Sequence, residues 1–198
     1  MFLKRSIWIL YFLVCLSINN DILRAQDYGT DKMISDSDKL LKSMQAGPQH
    51  ALLEKFSGKW RQLITILQKG AEPIYGKGEA DIKLIFGGRY AEIEGLLSYM
   101  DIQADTRIIL GFDRRFDKYT LYAMDALTTY SRYAIGVFDN SDSTFKFSGK
   151  SYDIISGKEV PFRIEIKFED DSDFAYTTWW GDSKEEVKQS QIKFIKIE

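Results

Sequence analysis

From Phe162 to Phe168 apolar and charged side chains alternate without a break, Phe-Arg-Ile-Glu-Ile-Lys-Phe, after Val160 and Pro161. A period of two puts every apolar group on one face of an extended strand, so one face is buried and the other is wet. The same alternation runs from Glu79 to Leu84 and from Thr144 to Ser148. Strands of this kind belong to antiparallel sheets with one solvated face. Turn-forming clusters separate the runs: Gly87-Gly88, Asp113 to Asp117, Asp139 to Asp142, Ser156-Gly157, Asp170 to Asp173 and Gly181-Asp182. The punctuation yields about ten short strands. With no second helical pattern to cover an open sheet, the expected fold is all-β, an antiparallel barrel, which also removes the sheet edges. A two-sheet sandwich produces the same alternation and is the alternative.

Upstream of Gly58 the period is helical. Leu52, Leu53 and Phe56 follow Pro48 at helix spacing, with Gly58 as a stop, which predicts a short capping helix. Residues 26–46 are polar and read as a tether, in which Ser35 to Asp38 could start a short helix before Lys39, Leu40 and Leu41. Residues 1–25 read as a signal peptide. Lys4 and Arg5 precede an uncharged apolar run from Ile7 to Leu16, and Ala25 stands at a plausible cleavage point. That run is shorter than the roughly 20 residues that span a bilayer. The expected organisation is therefore a cleaved leader (1–25), a tether (26–46) and a single barrel domain (47–198). The protein is expected to be exported, periplasmic or secreted, with no integral membrane segment after cleavage.

Composition narrows the chemistry. The formal charge is −2, and losing Lys4, Arg5 and Arg24 against the single carboxylate of Asp21 makes the mature chain more acidic still. Nothing here attracts nucleic acid or an anionic membrane. The one cysteine, Cys15, falls in the leader, so the mature chain has no disulfide, no thiolate nucleophile and no Cys-ligated metal. His50 is the only histidine, which rules out a multi-histidine metal site, and its place on the capping helix favours a structural hydrogen bond. Neither metal nor cofactor is expected. Gly87-Gly88-Arg89 lacks the spacing of a phosphate loop and reads as a hairpin turn.

Phe56-Ser57-Gly58-Lys59-Trp60, between the helix and the first strand, resembles the Gly-x-Trp start of calycin barrels such as lipocalins and fatty-acid-binding proteins. A wider set resembles the bacterial family called domain of unknown function 1579: Gly47 to His50, Gly58 to Trp60, Gly87 to Tyr90, Glu94, Gly111 to Asp113, Lys118-Tyr119, Asp125 and Gly157 to Glu159. The resemblance covers about residues 46 to 198 and implies a calycin-like barrel whose tryptophan plugs the closed end. It implies no activity. Two positions depart from the family pattern. Ala123 stands where the family tends to carry a tryptophan, which could enlarge a cavity. Lys196 sits near the family's last-strand arginine, which weakens any Trp–Arg stack at the base. Haem-binding nitrobindins, barrels of similar shape, use a later histidine that is absent here.

The expected function is binding of a partly apolar small molecule inside the barrel, because barrels of about this strand number can enclose one ligand. The candidate lining is Glu94, Tyr119, Ala123, Asp125, Tyr176 and Trp180, with no catalytic residue assigned. Tyr119, Ala123 and Asp125 recur at period two and share a face. Tyr122 and Trp179 are further lining candidates, since each joins a polar handle to an apolar body. Glu92 and Glu94 share a face that is either an internal polar floor or a solvated surface. Two other readings stand beside binding: a barrel enzyme using Glu94 and Asp125 as acid and base, and an envelope interaction module with a filled core. Oligomeric state is not legible in the sequence.

Overall fold

The computed structural model describes residues 30–198 except 69, 155, 182–185 and 198. The expected leader, residues 1–25, and its cleavage point lie outside the described residues. The chain divides after Gln45 into two units. In the first, helix α1 (Thr30–Met44) extends well upstream of the Ser35 start suggested by the sequence. Ser43 Oγ donates to the Leu40 carbonyl and Lys39 Nζ lies 3.4 Å from Asp36 Oδ1, local contacts of a solvated helix. Among the described residues no helix is long and apolar enough to cross a membrane.

The second unit opens with helix α2 (Pro48–Ala51) and one turn of 3₁₀ helix (Leu52–Phe56). Ten strands follow: β1 (Gly58–Ile66), β2 (Ile74–Ile85), β3 (Tyr90–Tyr99), β4 (Ile102–Asp113), β5 (Lys118–Asp125), β6 (Arg132–Asp139), β7 (Thr144–Asp153), β8 (Lys158–Phe168), β9 (Asp173–Trp180) and β10 (Val187–Ile197). Each pairs antiparallel with its sequence neighbours, and β1 pairs with β10 from Lys59↔Ile197 to Ile66↔Ser190. That ladder makes a closed up-and-down barrel and decides against the sandwich.

Aspartates end the strands. Asp113 Oδ1 accepts the Arg115 N–H, Asp139 Oδ1 that of Ser141, and Asp170 Oδ1 those of Ser172 and Asp173. Each folds its side chain onto the backbone two residues on, replacing the ladder bond that stops there. Between β2 and β3, Phe86, Gly87 and Gly88 take φ of 51°, 66° and 79°, and the two glycines adopt this left-handed backbone without the penalty of a Cβ.

The core is densest at the end closed by the helices. Trp60 is 0% exposed, its Nε1–H donates to the Phe56 carbonyl at 2.8 Å, and its ring meets Phe174 edge-on at 4.8 Å. Phe56 in turn packs on Phe145, Phe168 and Phe174, and Phe174 stacks on Phe194. The Gly-x-Trp segment thus plugs the closed end. Lys196 places its ammonium 5.4 Å from the centre of the Trp60 ring, so a lysine supplies the cation at the base. His50 is buried, and its Nδ1 accepts the Gly47 N–H at 3.0 Å, which starts α2. Burial holds its pKa below the ordinary value, so the ring stays neutral and able to accept.

Candidate functional site

Along each strand the residues facing the barrel axis are known from the buried ones. On β5 these are Tyr119 and Leu121, on β6 Ala134, and on β9 Phe174, Tyr176 and Thr178. Continuing the same parity toward the other end brings Ala123, Arg132 and Trp180 onto the inner wall, together with Ile108 of β4 and Ile192 of β10. All five are half-buried although they sit on the inside. Solvent therefore enters the barrel here, at the end opposite the helices.

These residues adjoin one another. Ala123 is paired with Ile108 on one side and with Arg132 on the other. The Arg132 guanidinium lies 5.7 Å from the centre of the Trp180 ring, which stacks at 15° on buried Phe162. The Phe162 ring can lie flat because Gly149 stands opposite; a Cβ there would come within 2.6 Å of it. Below them Tyr176 is 7% exposed. Burial pushes its phenol up to about 12, an effect partly offset by the Arg132 charge and by the Thr178 hydroxyl. A neutral phenol, a hydroxyl and a guanidinium thus edge an otherwise apolar wall. Elsewhere on the inner wall, Gln62 is 2% exposed and its side chain lies across Gly78 and Gly95. Its Oε1 has no hydrogen-bond partner in the protein, a costly state for a buried carbonyl.

The six sequence candidates separate. Ala123, Tyr176 and Trp180 lie on this stretch of inner wall. Asp125 follows on the same face at the strand end, where its Oδ1 accepts the N–H groups of Leu127 and Thr128, each at 2.9 Å, and so forms the turn at the rim. Tyr119 points inward but at the closed end. It is 4% exposed, wedged between Phe112 and Phe145, and donates its hydroxyl to the Gln49 carbonyl at 2.9 Å, tying β5 to α2. Glu94 is on the outer face, because Ala91, Ile93 and Gly95 take the inside of β3. It ion-pairs with Arg107, which also approaches Glu92 at 3.5 Å. Glu94 is thus engaged with Arg107 and Asp125 with its own turn, and no contact joins the two carboxylates among the described residues. Tyr122 and Trp179 also face outward, Trp179 beneath the Arg163 guanidinium at 3.9 Å. Arg132 and Gln62 were not legible as site residues.

Glu94, Arg107 and Asp125 border an open concavity of about 810 Å³, with Lys59, Glu79, Asp81 and Asp105. Its charged groups are exposed or half-buried, the condition of a solvated surface.

Residues 45–195 match the family described as "Protein of unknown function (DUF1579)". The chain belongs to this family. No functionally curated protein matches the DUF1579 sequence. Among solved structures, the barrel is similar to that in "Crystal Structure of Rv2717c from M. tuberculosis", with a TM-score of 0.57 and 10% identity over 78% of this chain and 100% of that one. It is also similar to the S-type phycobiliprotein lyase CPES from Guillardia theta, with a TM-score of 0.51 and 12% identity over 80% and 96% of the two chains. At these identities the likeness is one of fold alone, that of an antiparallel β-barrel.

The two buried phenols give a test of the geometry. Tyr119, like Tyr176, is pushed up to about 12, by burial and by the nearby Asp117. For an acid whose native pKa exceeds its unfolded value of about 10, the stabilisation is complete below the unfolded value and is lost as pH rises toward the native one. Ultraviolet titration of the folded protein is expected to show two tyrosines ionising later than the rest, with stability falling above about pH 10. Tyrosines that all titrate together near 10 would contradict the burial of this pair.

Proposed function

We propose that this protein binds a small, partly apolar molecule in the open half of its barrel. The supporting observation is the run Ile108, Ala123, Arg132 and Trp180, side chains on the inner wall that are only half-buried. A mostly apolar concave wall with a few placed polar groups is the usual make-up of a small-ligand site. The closed half, filled by aromatic rings, serves as its floor. Gln62, buried with a free acceptor, is a second polar group on the inner wall able to take a donor from a ligand or an ordered water. One barrel of similar fold is titled a phycobiliprotein lyase, so the architecture has been put to work on another molecule. We further propose that the chain is exported, on the strength of the leader-like residues 1–25. One experiment addresses both readings. Protein recovered from the exported fraction of its native host is expected to have an intact mass beginning near Gln26, and to release a small molecule on denaturation. A chain still starting at Met1 counts against export; a preparation that carries no ligand and takes up neither naphthalene probe described below counts against binding.

A further inference from the structure

Arg132 differs from the other arginines whose contacts define the barrel wall. Arg107 pairs with Glu92 and Glu94, Arg115 with Asp113, and Arg163 with Glu165 and Glu186, all on the outside. Arg132 faces the interior, and among the described residues it has no carboxylate partner; its contact is the Trp180 ring. Taking a guanidinium partly out of water without a counter-charge is unfavourable, and a cation–π contact offsets only part of the cost. Asp125, two residues beyond the Ala123 that pairs with Arg132, spends Oδ1 on its own turn. Among the described residues the planar fork of donors on Arg132 therefore has no acceptor at this end of the inner wall, and its charge is felt at the Tyr176 hydroxyl.

We infer that the ligand is an organic anion, a carboxylate or other oxyanion head on an apolar body, with the head held by Arg132 and the body lying on Trp180, Ile108 and Ala123. The inference rests on the reading of the open half as a ligand site. An oxyanion accepts two parallel N–H bonds from a guanidinium, and the Tyr176 phenol is a third donor within the field of the same charge. The Trp180 ring, backed by buried Phe162, forms a flat wall for the body.

The test uses the full chain and two probes with the same aromatic body, 1-anilinonaphthalene-8-sulfonate and its neutral counterpart N-phenyl-1-naphthylamine. The wild type is expected to bind the sulfonate roughly tenfold or more tightly than the neutral probe. Arg132→Gln is expected to abolish that preference by weakening the sulfonate far more than the neutral probe, and Arg132→Lys, which keeps the charge but loses the fork, to fall between. Octanoate and octyl phosphate are expected to displace the sulfonate where octanol does not, and their relative strength tells carboxylate from phosphate. If neither probe binds the wild type, the ligand-site reading itself fails. If both bind equally, or if octanol competes as well as octanoate, the site stands and the anion inference is overturned. Should Arg132→Gln fail to fold, the Arg132→Lys ratio and the octanol competition decide the question on their own.

Discussion

Trp60→Ala is expected to lower the free energy of unfolding by roughly 3–5 kcal/mol, the range for removing a fully buried large aromatic side chain. Three separate losses converge on this position. The ring is wholly buried, so truncation leaves a cavity among Phe56, Phe174 and the base of β1 that a meander of short strands cannot close by collapsing. The indole N–H is the partner of the Phe56 carbonyl at the end of the 3₁₀ turn, and removing it leaves that acceptor buried without a donor. Lys196 also loses the ring beneath its ammonium. Equilibrium urea unfolding with an unchanged m-value checks the result. A loss under about 1 kcal/mol would mean that the helical cap and the plug are not one packed unit.

The strands were legible because their two faces differ in chemistry. β8 is the clearest case: Phe162, Ile164, Ile166 and Phe168 are all buried while the charges between them are not. Barrel and sandwich could not be told apart in this way, since both bury one face of every strand. What separates them is the β1–β10 ladder, a pairing between the first and last strands that no local pattern encodes. The outward turn of Glu94 had a local signal, because Ala91 and Ile93 claim the other face of β3. Arg132 had a misleading one. On β6 the bulkier apolar residues Tyr133, Ile135 and Val137 are the exposed set, at 54%, 47% and 43%. The inner set is Arg132, Ala134 and Gly136, the last two small where large rings reach across from neighbouring strands. Residue size alone therefore assigns β6 the wrong inner face. The inside can be recognised only when Phe147 is seen against Gly136, and Phe162 and Trp180 beneath Arg132.

Ala123→Trp is expected to weaken uptake of both naphthalene probes by roughly tenfold or more while costing no more than about 1–3 kcal/mol of stability. Ala123 lies between Ile108 and Arg132 on neighbouring strands and is half-buried. An indole there would occupy the space a ligand body needs, beside Trp180, and would bury apolar surface of its own, which is why the fold should tolerate it. The affinity is read by probe fluorescence and the stability by denaturant unfolding of the same preparation. A variant that loses far more than 3 kcal/mol would show that the interior beside Ala123 is already full and that the chamber lies elsewhere. The contrast with Arg132→Gln separates shape from charge: filling the space should penalise the sulfonate and the neutral probe alike, whereas removing the guanidinium should penalise the sulfonate far more than the neutral probe. A ligand site built as described must show both patterns, because its apolar wall and its single cation act on different parts of the same molecule.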